Sequence, residues 1–285
     1  MTPTEKEFEA YYRRFAKNCP RCKGQRTILV NGVLTRCICQ NKAVKRLYFD
    51  KISISPSSLK YKEWDDFNGS ILNLEGDVDG ALTVSSLEEA KRKAMEYCFD
   101  HWDIDVDKER NKAINIDRHL RDGQNLVIFG SPGSGKTLLA VLVLKELLRC
   151  MWIRKRDYRY KWIKFTDLVG HARWDNSRSV NHDRLDELSE SHFLFIDGID
   201  VYRSGEGHNT PPDLIELDRL FSYRRAMSIP TIMTATTSLR DAMKAPALAG
   251  LAKKWCGDEL ISMMCSSETV RIVLDRGDIV GKLQD

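Results

Sequence analysis

The sequence predicts an α/β protein in which a parallel sheet lies between helices, preceded by a small cysteine-bearing domain. Two patterns carry that expectation. Beyond residue 124, short runs that are apolar at consecutive positions alternate with segments of helical period, as in strands covered on both faces. Before residue 60, four cysteines fall in two close pairs around a two-residue turn signal. A chain of 285 residues is long enough for about two domains, and the boundary is expected near residue 60, giving domains over 1–60 and 61–285.

The elements follow in order. Residues 5–17 place Phe8, Tyr11, Tyr12 and Phe15 at spacings of three and four between charged residues, the pattern of an amphipathic helix whose aromatic face needs a cover. Thr27-Ile28-Leu29-Val30 and Val33-Leu34-Thr35-Arg36 flank Asn31-Gly32, a strong hairpin signal. Residues 53–80, rich in Ser, Asn, Gly and Asp, read as a connector. A helix is expected over 87–102, then an acidic stretch. Strands are expected at 125–129, 162–165, 193–196, 230–234 and 270–274, and helices at 137–149, 183–189, 213–227 and 248–254.

Charge is distributed unevenly along this chain of net charge +4: residues 1–60 hold 13 Lys/Arg against 4 Asp/Glu, 61–122 hold 9 against 16, and the remainder 23 against 21. Blocks of opposite sign suit different partners. The longest apolar runs, 138–144 and 193–196, fall short of the ~18–20 residues that span a bilayer, so no membrane segment is expected. Residues 1–18 lack the apolar stretch of a secretory leader, and a cytoplasmic, reducing location without disulfides is expected.

Gly130-Ser131-Pro132-Gly133-Ser134-Gly135-Lys136-Thr137 fits the phosphate-loop pattern and sits between an apolar strand and an apolar helix. Its glycines let backbone N–H groups turn toward phosphates at a helix N-terminus, Lys136 is placed for the β and γ oxygens of ATP, and the Thr137 hydroxyl for Mg²⁺. Asp197 ends the apolar run Phe193-Leu194-Phe195-Ile196 and is the candidate second contributor to the Mg²⁺ shell. The next position, where an acid could orient water, is Gly198; Asp200 is a possible replacement or a loop acid without a role.

Cys19, Cys22, Cys37 and Cys39 form CxxC and CxC pairs separated by fourteen residues. Four thiolates on two tight turns suit tetrahedral Zn²⁺, which would stabilise a small basic domain poor in aliphatics; a redox pair or an iron–sulfur cluster are the alternatives. Cys98, Cys150, Cys256 and Cys265 are scattered and are expected to be small buried apolar residues. Between Trp152 and Lys164, the cations Arg154, Lys155, Arg156, Arg159, Lys161 and Lys164 interleave with Trp152, Tyr158, Tyr160 and Trp162. Single-stranded DNA asks for that mixture, although some of these aromatics belong to a strand and its core.

Taken together, the cysteine segment, the connector Ile54…Pro56…Tyr61…Trp64-Asp65-Asp66-Phe67, the phosphate loop, the run from Lys161 to Leu168, Asp197 and Pro230-Thr231-Ile232-Met233-Thr234 resemble the AAA+ helicase loaders of the DnaC/DnaI type and the related IstB-type ATPases. The resemblance covers most of residues 54–275. It implies an AAA+ P-loop domain behind a zinc-binding N-terminal domain that grips a replicative hexameric helicase. It further implies an ATPase that binds ATP and Mg²⁺, self-assembles with nucleotide, binds single-stranded DNA and delivers the helicase in replication. Lys136, Asp197 and Thr236 are then the catalytic positions.

Three positions depart from that family. Thr236 stands where an Asn senses the γ-phosphate, Gly198 follows Asp197, and no arginine occurs over 258–264, where a finger is expected. Arg224, Arg225 and Arg271 are candidate substitutes. ATP binding is therefore expected with slow hydrolysis. The departures also leave open a nucleotide-locked phage or mobile-element factor that captures a host helicase, while the IstB likeness leaves open an ATPase assisting a DNA transposase.

Overall fold

Alternating residues around a glycine turn give the first sheet: β1 (Thr27–Val30) pairs antiparallel with β2 (Val33–Arg36), Thr27 opposite Arg36, with Gly32 at φ 78°. Ahead of it lies α1 (Glu5–Ala16). The Arg26 guanidinium donates to both carboxylate oxygens of Glu9 at 2.7 and 2.8 Å and lies 4.9 Å over the Tyr12 ring, so the helix is clamped to the base of the hairpin. Tyr12 packs against the cysteines, and the Tyr11 hydroxyl donates to Asp50, which also accepts from Tyr61 at 2.6 Å. These contacts cover part of the aromatic face.

The structure is a computed structural model and describes residues 5–30, 32–37, 39, 43, 46, 47, 50, 54, 57–67, 84–100, 104–107, 112–115, 124–153, 159–172, 180–199, 211–236 and 256–274. The chain divides into two compact units, Met1–Tyr61 with Leu147–Asp157 and Lys62–Glu146 with Tyr158–Asp285.

In the second unit, α2 (Val84–Asp100) is followed by a short antiparallel pair, β3 (Ile104–Asp107) and β4 (Lys112–Asn115). A five-stranded parallel sheet then forms from β5 (Leu126–Gly130), β6 (Tyr160–Lys164), β7 (Phe193–Ile199), β8 (Thr231–Thr236) and β9 (Val270–Leu274), in the order β6-β7-β8-β5-β9. Helices α3 (Lys136–Ile153), α4 (Phe165–Ala172), α5 (His182–Ser189), α6 (Pro211–Ala226) and α7 (Asp258–Cys265) complete the alternation. One face of the sheet, through Val127, Phe129, Ile163, Leu194, Ile196 and Met233, shares a core with α4 to α7. Toward the other face α2 packs on β9, and its Cys98 thiol reaches the Val143 carbonyl of α3. Parallel strands covered on both faces explain the unbroken apolar runs. Among the described residues, no helix is long and apolar enough to cross a membrane.

Several sequence expectations need correction. Phe165, expected to end a strand, begins α4; its ring is buried either way, and Asp167 in the first turn suits the helix dipole. The acidic stretch contains the β3–β4 pair, where Asp105 and Asp107 alternate with Ile104 and Val106. Cys98 and Cys256 are buried as expected, but Cys265 is exposed, and the Cys150 side chain lies outside the described residues. The helix expected over 248–254 and most of the connector also lie outside them.

Arg224 is the largest correction. It has no exposed surface and donates to Thr231 Oγ1 (3.0 Å), to the carbonyls of Leu188 (3.0 Å), Ser189 (3.0 Å), Ser191 (2.8 Å) and Pro230 (2.5 Å), and to Ser191 Oγ (3.3 Å). Burial pulls its pKa down to about 9, so at neutral pH it remains a cation. A side chain enclosed in this way serves the fold and cannot act as an arginine finger. Replacing it with Met should orphan several buried carbonyls and lower unfolding free energy by about 2–4 kcal/mol. Chemical denaturation checks this, and an unchanged midpoint would mean that the carbonyls find other donors.

Candidate nucleotide-binding site

The phosphate loop leaves β5 at Gly130 and enters α3 at Lys136. A Cβ on Gly130 would lie 2.3 Å from Ser134 Oγ and 2.8 Å from the Leu274 carbonyl of β9, so no side chain fits where strand, loop and neighbouring strand meet. Gly133 (φ 77°) and Gly135 (φ 87°) take the left-handed turns that bend the loop. Lys136 Nζ donates to the carbonyls of Gly130 (2.9 Å) and Ser131 (2.8 Å), which holds the ammonium over the loop. Ser134 is fully buried; Ser131 and Pro132 lie at or near the surface.

Thr137 and Asp197, sixty residues apart in sequence, meet: Thr137 Oγ1 donates to Asp197 Oδ1 at 2.9 Å. Thr234, which the sequence reading did not single out, donates to the same oxygen at 2.6 Å and accepts from the Gly198 N–H at 2.8 Å. Thr236 pairs with Gly130 across β8 and β5, at the mouth of the loop, and is half-buried. Gly198 has φ 80° and sits in a bulge, because Ile196 opposes Met233 while Ile199 opposes Ala235. The missing acid is thus a backbone requirement as well as a missing side chain. Asp200 lies outside the described residues. A hydroxyl directed at a carboxylate keeps its lone pairs for a cation, so Thr137 and Asp197 fit Mg²⁺.

Of the remaining arginines, Arg225 is exposed and pairs with Glu259 at 3.4 Å, and Arg271 donates to the carbonyls of Met264 (3.0 Å) and Ser266 (2.7 Å). Trp162 stacks on Phe195, with centroids 5.4 Å apart and planes at 12°, so this aromatic belongs to the sheet's packing. Lys161 pairs with Glu187, whereas Lys164 and Arg159 are exposed. Arg154, Lys155, Arg156 and Tyr158 lie outside the described residues, as does the side chain of Trp152.

The four cysteines of the first unit converge. Their sulfurs all lie within 4.8 Å of one another, with Cys19 and Cys37 at 3.7 Å and Cys22 and Cys39 at 3.5 Å. Zn–S bonds of about 2.3 Å place tetrahedral thiolates about 3.8 Å apart, so the cluster fits Zn²⁺. Left-handed turns at Lys23, Gly24 and Arg26 fold the first knuckle, and Cys37 N–H donates to the Arg26 carbonyl to bring the second pair alongside. N–H groups of Cys22 and Arg21 hold the Cys19 thiol down at about 6, whereas burial raises that of Cys39. Held as thiolates in so small a volume, the four sulfurs would repel one another unless a cation lay between them, which is the chemistry a Zn²⁺ would supply.

A glycine loop between β5 and α3, with a hydroxyl and a carboxylate meeting at its mouth, defines a P-loop nucleotide-binding domain. More particularly, residues 126–251 match the model of AAA, the ATPase family associated with various cellular activities, and the chain carries an AAA ATPase domain. Among solved structures it is similar to the DnaC helicase loader (19% identity, 74% of this chain and 97% of that one, TM-score 0.44). It is also similar to DnaI (15%, 77% and 92%, 0.39) and to AMPPCP-bound DnaA from Aquifex aeolicus (18%, 72% and 51%, 0.39). No curated protein matches the sequence.

Gly130→Ala should cost about 1–3 kcal/mol through overpacking, more than Gly133→Ala, whose Cβ meets nothing within 4 Å and strains only its own backbone. Denaturant midpoints of the two variants give the order. The reverse order would show that the crowded neighbours of Gly130 yield easily.

Proposed function

We propose that the chain is an ATP-binding helicase loader of replication, with the AAA domain as its nucleotide switch and the cysteine-bearing unit as its grip on a hexameric replicative helicase. The observation that carries the reading is the meeting of Thr137 and Asp197 at the mouth of the phosphate loop. In this reading Lys136 leaves the loop carbonyls for the β and γ phosphates, Thr137 and Asp197 hold Mg²⁺, and Thr236 faces the γ-phosphate. Zn²⁺ on Cys19, Cys22, Cys37 and Cys39 fixes the N-terminal unit. The basic stretch before β6 meets single-stranded DNA, where phosphate contacts supply most of the affinity. ATP acts by binding the assembled state more tightly than the free one, since a ligand shifts an equilibrium only by its differential affinity.

Hydrolysis is slow in this reading. Gly198 presents no acid to orient water, and Arg224 is enclosed, so neither the water nor the charge developing on the γ-phosphate is well served. The same observation favours a second form of the reading, a nucleotide-locked factor that captures a helicase without turnover.

Lys136→Ala should abolish binding in a fluorescent-nucleotide titration and, with it, nucleotide-dependent association with the helicase, while leaving the fold intact. Parent-like affinity would sink the phosphate-loop assignment. Steady-state phosphate release, with and without single-stranded DNA, should stay well below the enzyme median of about 10 s⁻¹. Brisk release abolished by Arg225→Ala or Arg271→Ala would instead reveal a displaced finger.

Metal analysis of the purified chain should find Zn²⁺, and Cys37→Ser should lose it together with the protection of β1 and β2 against proteolysis. A metal-free, folded parent or an iron chromophore would refute that site.

A further inference from the structure

The polar contacts behind the phosphate loop include one residue that neither the loop pattern nor the acid-ended strand identifies. Thr234 is only 2% exposed and lies on β8, the strand inserted between β5 and β7. Its hydroxyl has a defined direction. The Gly198 N–H donates to it at 2.8 Å, so its own hydrogen goes to Asp197 Oδ1, 2.6 Å away. Thr137 Oγ1 donates to that oxygen at 2.9 Å. Both hydrogen bonds fall on Oδ1, and among the described residues Oδ2 accepts none.

The bulge makes this possible. Ile196 opposes Met233 and Ile199 opposes Ala235, so Asp197 and Gly198 together face Thr234 alone. A regular parallel ladder would put one residue opposite Thr234 and leave no second N–H to orient its hydroxyl. The left-handed conformation of Gly198, φ 80°, is what turns that N–H inward.

We propose that Thr234 is a positioning residue of the Mg²⁺ site: its hydroxyl, oriented by the Gly198 N–H, pins Asp197 against Thr137 so that Oδ2 and the Thr137 lone pairs face the metal together. The assignment rests on the phosphate-loop reading above. Without Thr234, Asp197 keeps only the Thr137 hydroxyl as partner and is less fixed about its χ angles, so that a metal must order it. Nucleotide held by Lys136 and the loop N–H groups alone does not depend on that order. The signature is therefore a selective loss of Mg²⁺ affinity, distinct from a loss of nucleotide affinity without the metal.

The test uses the full chain and a fluorescent ATP analogue, titrated in EDTA and across Mg²⁺ concentrations. Thr234→Val keeps the shape and removes the hydroxyl; it should raise the Mg²⁺ concentration at half-effect about tenfold, the scale of one hydrogen bond to a charged group. Affinity in EDTA should stay within about twofold of the parent's, because the loop contacts are untouched. Thr234→Ser should recover the parental Mg²⁺ midpoint, and Thr234→Ala, which leaves no polar atom, should repeat the Val result if the Val variant does not fold. A parental Mg²⁺ midpoint in the Val or Ala variant overturns the assignment, as does an equal loss with and without Mg²⁺. If the parent shows no Lys136-dependent nucleotide binding, the phosphate-loop reading falls and the assignment with it.

Discussion

Everything at the mouth of the sheet depends on one oxygen. Asp197 Oδ1 accepts a hydrogen from Thr137, on the helix that follows the phosphate loop, and another from Thr234, on a strand that enters the sheet late in sequence. Those donors can reach one acceptor only because β8 lies between β5 and β7. Its register sets Thr236 beside Gly130 and Thr234 beside the bulge, so the inserted strand spans the gap between loop and carboxylate. Ligand sites of open α/β sheets lie beyond the carboxyl ends of the strands, and Thr234 and Thr236 stand near that end of β8.

The other end of β8 is fixed by a buried charge. Arg224 donates to the Pro230 carbonyl and to Thr231 Oγ1 at the start of the strand, and to the carbonyls of Leu188, Ser189 and Ser191 at and beyond the end of α5. None of its bonded partners is a carboxylate. The last carbonyls of a helix lack intrahelical donors and carry partial negative charge, so a cation placed there satisfies orphan acceptors and the dipole together. Desolvating a guanidinium is expensive, and complete hydrogen bonding is what makes it tolerable. A residue that suggests phosphate chemistry by its type alone is here tied to the strand whose far end holds Thr234.

How much of this was legible in the sequence differs by element. The hairpin could be read residue for residue, since two β-like tetrapeptides around Asn31-Gly32 leave little choice of register. The meeting of Thr137 and Asp197 was legible because nucleotide chemistry asks for particular residues at particular spacings, which the loop pattern and the acid-ended strand both present. Thr234 was not, because a threonine in an apolar strand has ordinary β propensity and only the bulge turns its hydroxyl to use. The β3–β4 pair was obscured by acidic alternation that reads as solvated loop, and α4 by a phenylalanine equally at home at the end of a strand. Arg224 could not be told apart from Arg225 and Arg271 as a candidate finger, because sequence reports charge but not enclosure.

The absence of an acid after Asp197 and the security of Asp197 itself are two sides of one conformation. Gly198 occupies a φ near 80°, which side chains rarely adopt, and from there its N–H orients the hydroxyl of Thr234. An acid at that position would carry a conformational cost on the order of 1 kcal/mol and would favour a regular β7, in which the N–H no longer turns inward. Regularising the strand would remove the bond that directs Thr234 to the carboxylate. The geometry therefore sets a firmly held Asp197 against an acid at position 198, and this chain has the former. That arrangement agrees with the proposed reading, in which bound nucleotide acts by persisting: such a role asks for ordered ligands, whereas turnover asks for a water-orienting acid that the bulge does not favour.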